Sequence, residues 1–420
     1  MKTMVISDLH FGAGNSWFVQ DEKKTIDLLI DRIVNNHIDV LIFAGDMLDF
    51  SLCSYRSTFL SARRFFSRLA AHPQRPKQII YIPGNHDKNV WNLLRDQVMI
   101  IRPMTEYGAA PPENMPDSFF VVLDLADGVP EVYKHKQGEF DHLSFRGGHS
   151  MLAGLFETHG EVKEENMISF SLAYPNLYLE SKKGVYLVTH GHFFQVPWSL
   201  FSLLWRQTIL EERKADNTKP LPEYLVVDEI EGVNSPLTLM VWASMGQVPQ
   251  IREVMNRVYL ESAEKQQAEQ LIALLEEALE NYYRHVRYDE RRSLSDRVSQ
   301  SLSRWGLKRA VKHFTKHGSK PRVPHLFDEH VNRFLTQNFI EASAWLYQHR
   351  RDVDLGETPF PEIICGHTHH AREAMSKPAD WLPGVTFRNC GGWVNEDNCH
   401  AMAFILDENG DITPEPIKFS

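Results

Sequence analysis

The chain has 420 residues, a formal net charge of −10, and 24% charged against 43% hydrophobic residues. That length allows one large domain carrying an insertion, or two or three ordinary domains, and the composition excludes wholesale disorder. So acidic a chain is a poor general coater of nucleic acid, because phosphate binding draws on clustered Lys and Arg.

The N-terminus reads MKTMVISDLHFG, with no charged leader ahead of a long apolar stretch, so no secretory signal is expected. No uninterrupted apolar run reaches about 18 residues, so no membrane span is expected either. The four cysteines, Cys53, Cys365, Cys390 and Cys399, form no C-x-x-C pair. They read as reduced thiols, and a cytoplasmic location follows as the expectation.

In chain order, short apolar runs recur, and each ends in polar residues of one kind. MVIS precedes Asp8 and His10, VLIFAG precedes Asp46, and IIYIPG precedes Asn85 and His86. Further on, VYLVT precedes His190 and EIIC precedes Gly366 and His367. These runs are rich in Val and Ile and bounded by Gly or Pro, as buried strands are. Between the first two, Ile26, Leu29, Ile30, Ile33 and Val34 fall on one helical face. Strand, helix and strand with chemistry-bearing residues at the strand ends is the α/β pattern, whose sites lie beyond the carboxyl ends of strands. Residues 116–190 carry shorter strand-like runs, DSFFVVLDL, EVYKH and HLSFRGGHS, which suggest a second sheet.

From about residue 198 to 350 the pattern turns helical, through ESAEKQQAEQLIALLEEALENYYRHVR, SRWGLKRAVKHF and EHVNRFLTQNFIEASAWLYQH. The expected organisation is therefore a catalytic domain over 1–195 and 356–420, interrupted by a mainly helical insertion over 196–355 that acts as a cap or specificity subdomain.

Collected in order, the strand-end residues are Asp8-x-His10, Gly45-Asp46, Gly84-Asn85-His86-Asp87, His190-Gly-His192 and Gly366-His367-Thr-His369. This pattern resembles the calcineurin-like metallophosphoesterase family, over roughly 1–195 and 356–410. The resemblance implies a four-layer αββα sandwich, a binuclear metal centre and hydrolysis of phosphoric ester or diphosphate bonds. It places Asp8, His10, Asp46 and His369 on the first ion, and Asp46, Asn85, His190 and His367 on the second. His370 is left over, as a supporting or surface residue.

The chemistry is consistent with that assignment. Two ions about 3.5–4 Å apart can clamp both the attacking and leaving oxygens of a phosphoryl displacement. Asp46, directly after Gly45, suits a bridge, since glycine permits close backbone approach. Asp8 and His10 are two apart and project together from an extended segment, as do His367 and His369. Two divalent ions, two carboxylates and a bridging hydroxide leave a formal charge of about +1, favourable for phosphate. Manganese is the first expectation for the metal, with iron or zinc as alternatives for N/O ligands.

The family reading makes His86 the general acid. Asp49 stands where related phosphoprotein phosphatases orient that histidine. There the motif continues with Arg, and here Phe50 follows, which speaks against a protein phosphatase. Capping of the next segment is the other reading of Asp49. Asp87 reads as structural, His192 as structural or as a support to the site, and Arg146 and His149 as turn residues or substrate contacts. NCGGWV at 389–394 reads as structural support.

The insertion opens with FFQVPWSLFSLLWRQTIL, and residues 283–323 hold twelve Lys and Arg against three Asp and Glu. Two readings compete for each: helix packing or an apolar groove for the first, a solvated helix face or an anion-binding face for the second. A phosphorylated small-molecule or lipid-linked substrate is expected, with peripheral contact at the inner membrane surface through the insertion as one option. The bacterial UDP-diacylglucosamine pyrophosphatases are similar in carrying a helical cap between the same two histidine blocks, although theirs is shorter and follows the first histidine with Gly-Asp. The alternatives are a nuclease or cyclic-nucleotide phosphodiesterase of the same superfamily, and a scaffold that binds a partner through the insertion.

Overall fold

A computed structural model describes residues 1–106, 108–111, 118–132, 168–215, 222–239, 247–249, 253, 329–372, 382–395 and 399–419. The chain forms two compact units, Met1–Val248 with Phe334–Ser420, and Pro249–Arg333. Most of the second unit lies outside the described residues, and with it the basic run 283–323 and the stretch 261–287 expected to be helical. Arg146 and His149 lie outside them too.

The first unit is built on two six-stranded mixed sheets. Sheet A contains β1 (Lys2–Ile6), β2 (Val40–Ala44), β3 (Gln78–Ile82), β6 (Ser169–Leu172), β11 (Ala401–Asp407) and β12 (Ile412–Ile417), in the order β12-β11-β1-β2-β3-β6. Strands β1, β2, β3 and β6 run parallel, while β11 and β12 are antiparallel additions at one edge. Helices α2 (Glu22–Asn35) and α3 (Tyr55–Ala71) supply the crossovers that parallel neighbours require. Every residue of β2 and β3 is buried, which is why their sequences read as unbroken apolar runs rather than alternating ones. The start of α3 is capped by Ser54, whose hydroxyl accepts from the Ser57 amide at 3.2 Å.

Sheet B contains β4 (Val121–Asp124), β5 (Pro130–Val132), β7 (Asn176–Ser181), β8 (Gly184–Thr189), β9 (Glu362–Cys365) and β10 (Thr386–Asn389), in the order β10-β9-β8-β7-β4-β5. Its side chains alternate between two cores with the period of a pleated strand. Val121, Leu123, Leu177, Leu179, Val188 and Ile364 join the core shared with sheet A and with α2 and α3. Their neighbours Val122, Tyr178, Leu187 and Ile363 face a second core. The second core is closed by α7 (Val227–Thr238) and α8 (Glu329–Arg351), through Val227, Ile230, Phe339, Ile340 and Tyr347. The result is the expected four-layer αββα sandwich.

Helix α6 (Val196–Ala215) follows a short 3-10 turn at His192–Phe194 and packs on α7. Thus α6, α7 and the part of α8 from Phe334 onward count with the first unit, although all three fall in the stretch expected as an insertion. The physical reason is visible in α8, where Ser343 receives the Asn176 amide at 2.9 Å and its carbonyl receives the Tyr178 hydroxyl at 3.0 Å. No helix among the described residues is long and apolar enough to cross a membrane. No disulfide joins the cysteines.

Candidate metal centre

The carboxyl ends of β1, β2 and β3 in sheet A converge with those of β8 and β9 in sheet B. Asp8 and His10 follow β1, Asp46 follows β2, Asn85 and His86 follow β3, His190 follows β8, and His367 and His369 follow β9. Asp8, His10, Asp46, Asn85, His86 and His190 are buried. Three residues of each four-residue set expected from sequence lie together: donor atoms of Asp8, His10 and His369 are within 4.8 Å of one another, as are those of Asp46, His190 and His367. Asp46 Oδ2 stands between the sets, 3.2 Å from His190 Nε2 and 3.9 Å from His10 Nε2.

The local backbone differs from the extended segments expected at Asp8-x-His10 and His367-x-His369. Asp8, His10, Asp46, His367 and His369 all have positive φ, between 46° and 70°. An extended chain would carry the second residue of each pair away from the strand end. A left-handed bend instead folds it back over the site. Asp and His tolerate this region better than most residues, at a cost of order 1–3 kcal/mol each. Backbone bonds hold the bends: Asp8 N donates to Gly45 O, His10 N to Asp46 O, and Trp393 N to Asp8 O, at 2.9–3.0 Å. The last of these gives NCGGWV its supporting place. Gly45 and Gly366 are dictated by crowding, because a Cβ would overlap the His190 ring at the first and Ser7 and Asp8 at the second.

Hydrogen bonds fix which ring atoms face inward. His190 Nδ1 lies 3.1 Å from Ala44 O, a carbonyl that can only accept, so Nδ1 carries a proton. In a neutral ring its Nε2 then presents a lone pair toward Asn85 Oδ1 at 3.0 Å and Asp46 Oδ2 at 3.2 Å. His10 repeats this, with Nδ1 donating to Asp49 Oδ2 at 3.0 Å and Nε2 3.0 Å from His369 Nε2. Among the described residues Asp8 Oδ1 is buried with no hydrogen-bond donor, 3.5 Å from His369 Nε2. Acceptors facing acceptors across a buried gap repel unless a proton or a cation sits between them. The donor set, imidazole nitrogens and carboxylate oxygens, is one that divalent transition metals accept, so the residues fit a metal centre.

Charge within the site treats its histidines differently. Burial opposes protonation of His190, but Asp46 outweighs it and holds the ring up at about 9. Burial would raise Asp46, yet His190 and His86 beside it keep its carboxyl well below the usual range. His367 goes the other way: burial, then the neighbouring His190, lower it to about 3, leaving the neutral ring that ligation needs. Its Nε2 lies 3.1 Å from Gln195 Oε1, and its backbone amide donates to Asp8 Oδ2 at 2.9 Å.

His86 forms a third grouping with His10 and Asp49, again within 4.8 Å. Its Nδ1 contacts Ser51 Oγ at 2.5 Å and Asp49 Oδ2 at 3.3 Å, and its Nε2 lies 4.0 Å from Asp46 Oδ2. Burial lowers its basicity, but Asp46 and Asp49 together lift the ring to about 9. Asp49 also accepts from Ser51 Oγ and from the Leu52 amide, at 2.9 and 2.8 Å, so it both holds rings and shapes its own loop.

Other sequence candidates fall outside these groupings. Asp87 accepts from the Gly84 and Leu48 amides at 2.6 and 3.0 Å and from the Tyr81 hydroxyl, knitting the β2 and β3 loops together. His370 pairs with His400 in a short β-bridge. His192 is buried, its ring 5.5 Å from that of His190 and 4.0 Å from Phe193, and burial keeps it neutral. Phe193 and Trp198 are buried, while Trp205 is 55% exposed. Ser51 and Gln195 were not singled out from sequence. Ser51 falls two residues past Asp49, and Gln195 five past His190, and neither belongs to a motif, so only the folding of their loops could reveal them.

A two-sheet sandwich with histidines and aspartates gathered at converging strand ends defines a scaffold that can hold metal ions. Residues 1–224, more than half of the chain, match the family described as calcineurin-like phosphoesterase, and the chain belongs to that family. The family hydrolyses phosphoester bonds with divalent metals. No curated protein matches the chain.

Proposed function

We propose that this protein is a binuclear metal-dependent phosphoesterase that hydrolyses a phosphate ester or pyrophosphate, with Asp8, His10, Asp46 and His369 holding one ion and Asp46, Asn85, His190 and His367 the other. The observation that carries this reading is the set of buried acceptors around Asp46 Oδ2, which lies between two donor groups from both sheets. When bound, two divalent cations supply Lewis-acid activation of water and neutralise phosphoryl oxygens.

The chain's own residues do the rest. Asp46 Oδ2 holds both halves of the centre in register. Asp49 and Ser51 bind His86 on its Nδ1 side, so the Nε2–H points into the site. A water-derived hydroxide would supply the attacking oxygen: as its bond to phosphorus forms, the bond to the leaving oxygen breaks, that oxygen takes the proton from Nε2, and the proton given up by the water restores the ring. Asp46 and Asp49 beside the ring favour its protonated form. Manganese is the first choice of metal.

The test is hydrolysis of bis(p-nitrophenyl) phosphate by protein loaded with manganese. Activity should vanish on chelation and return with the metal, and Asp46→Asn should remove it. Turnover that survives chelation would rule the reading out.

A further inference from the structure

Two residues from the stretch between the His190 and His367 blocks touch the loops that carry His86 and its supports. Gln247 Nε2 donates to Cys53 O at 3.1 Å and to Phe50 O at 3.4 Å, and its Oε1 accepts from the Tyr55 amide at 2.9 Å. One amide side chain therefore satisfies three backbone groups of the 50–55 loop, two in its irregular part and one at Tyr55, where α3 begins. The same loop holds Ser51 against His86 Nδ1, and the Phe50 amide donates to His86 O at 3.3 Å. On the other side, Glu231 of α7 forms a buried ion pair with Lys88, two residues past His86, and accepts from the Tyr174 hydroxyl at 2.8 Å.

We propose that Gln247 is a positioning residue for His86, acting through the 50–55 loop, so that this part of the chain tunes proton delivery to the leaving group. The inference rests on the reading of His86 as general acid. A side-chain amide suits the task. Its NH2 and C=O meet two carbonyls and an amide that water would otherwise solvate, and fixing them narrows the loop's conformations. If the loop loosens, Ser51 holds Nδ1 less well, and Nε2 loses its aim. Proton transfer is sensitive to that geometry. The metal donors sit on other segments and keep their places.

The experiment compares Gln247→Met, similar in size but without hydrogen-bonding groups, with His86→Ala and the unaltered protein. Substrates are aryl phosphodiesters whose leaving phenols range from weakly to strongly basic, since only a basic leaving group needs a proton in the transition state. Gln247→Met should lose roughly ten-fold in kcat on the most basic phenol and under about two-fold on p-nitrophenol. Metal content and Tm should be unchanged, and hydrogen exchange at the Tyr55 amide should speed up. His86→Ala should show the same gradient more steeply. A uniform loss or no loss in Gln247→Met, with the gradient intact in His86→Ala, overturns this inference alone. The absence of a gradient in His86→Ala overturns it together with the general-acid reading.

Discussion

Asp49 contacts two histidines with different tasks. Its Oδ2 binds His10 Nδ1 and His86 Nδ1, at 3.0 and 3.3 Å. The first contact turns the His10 lone pair inward, and the second raises the basicity of a group that must deliver a proton. In Asp49→Asn the negative charge is gone, so the protonated form of His86 is less favoured and its pKa falls. An acid works only below its pKa, so the alkaline limb of the kcat/KM profile should move to lower pH in this variant. An unmoved limb would assign that limb to another group. At this scale the residues gathered around the centre were legible because each follows an unbroken apolar run, and a strand end is where α/β sites form. Ser51 was not, because its contact with His86 depends on how the loop after β2 bends. The left-handed backbone at Asp8 and His369 was hidden for the same reason: nothing in D-x-H or H-x-H announces a bend.

The strands fix where the donors stand, and the helices fix how firmly. Lys88 and Glu231 are each about 1% exposed and join the end of the β3 loop to α7. Removing one member of such a pair leaves the other charge buried and short of its partner, a loss of about 3–5 kcal/mol. Glu231→Ala should therefore lower the unfolding free energy by about that amount in chemical denaturation. Glu231→Gln, which keeps an acceptor for Tyr174, should cost less. Equal stability of Glu231→Ala and the parent would show that the pair is not a brace. The parallel strands of sheet A and the amphipathic α2 were readable from periodicity. The role of α7 was not, since its apolar residues Val227 and Ile230 pack against sheet B, a sheet whose two-faced alternation emerges only when β4, β7 and β8 are side by side.

Across the whole molecule, two layers of the sandwich contribute to one centre, with sheet A supplying Asp8, His10, Asp46 and Asn85 and sheet B supplying His190, His367 and His369. The family and the fold could be read because five short blocks keep their order along a chain in which helices separate the fourth from the fifth. Substrate choice could not, because it depends on surfaces formed by segments whose sequences, such as 193–205 and 283–323, fit packing and recognition equally well. The most direct test of the central claim is elemental analysis of purified, manganese-loaded protein beside its Asp46→Asn variant. Two transition-metal ions per chain in the first, with clear loss in the second, are the expected result. No stoichiometric metal in the parent, or two ions retained without the Asp46 carboxylate, would contradict the account.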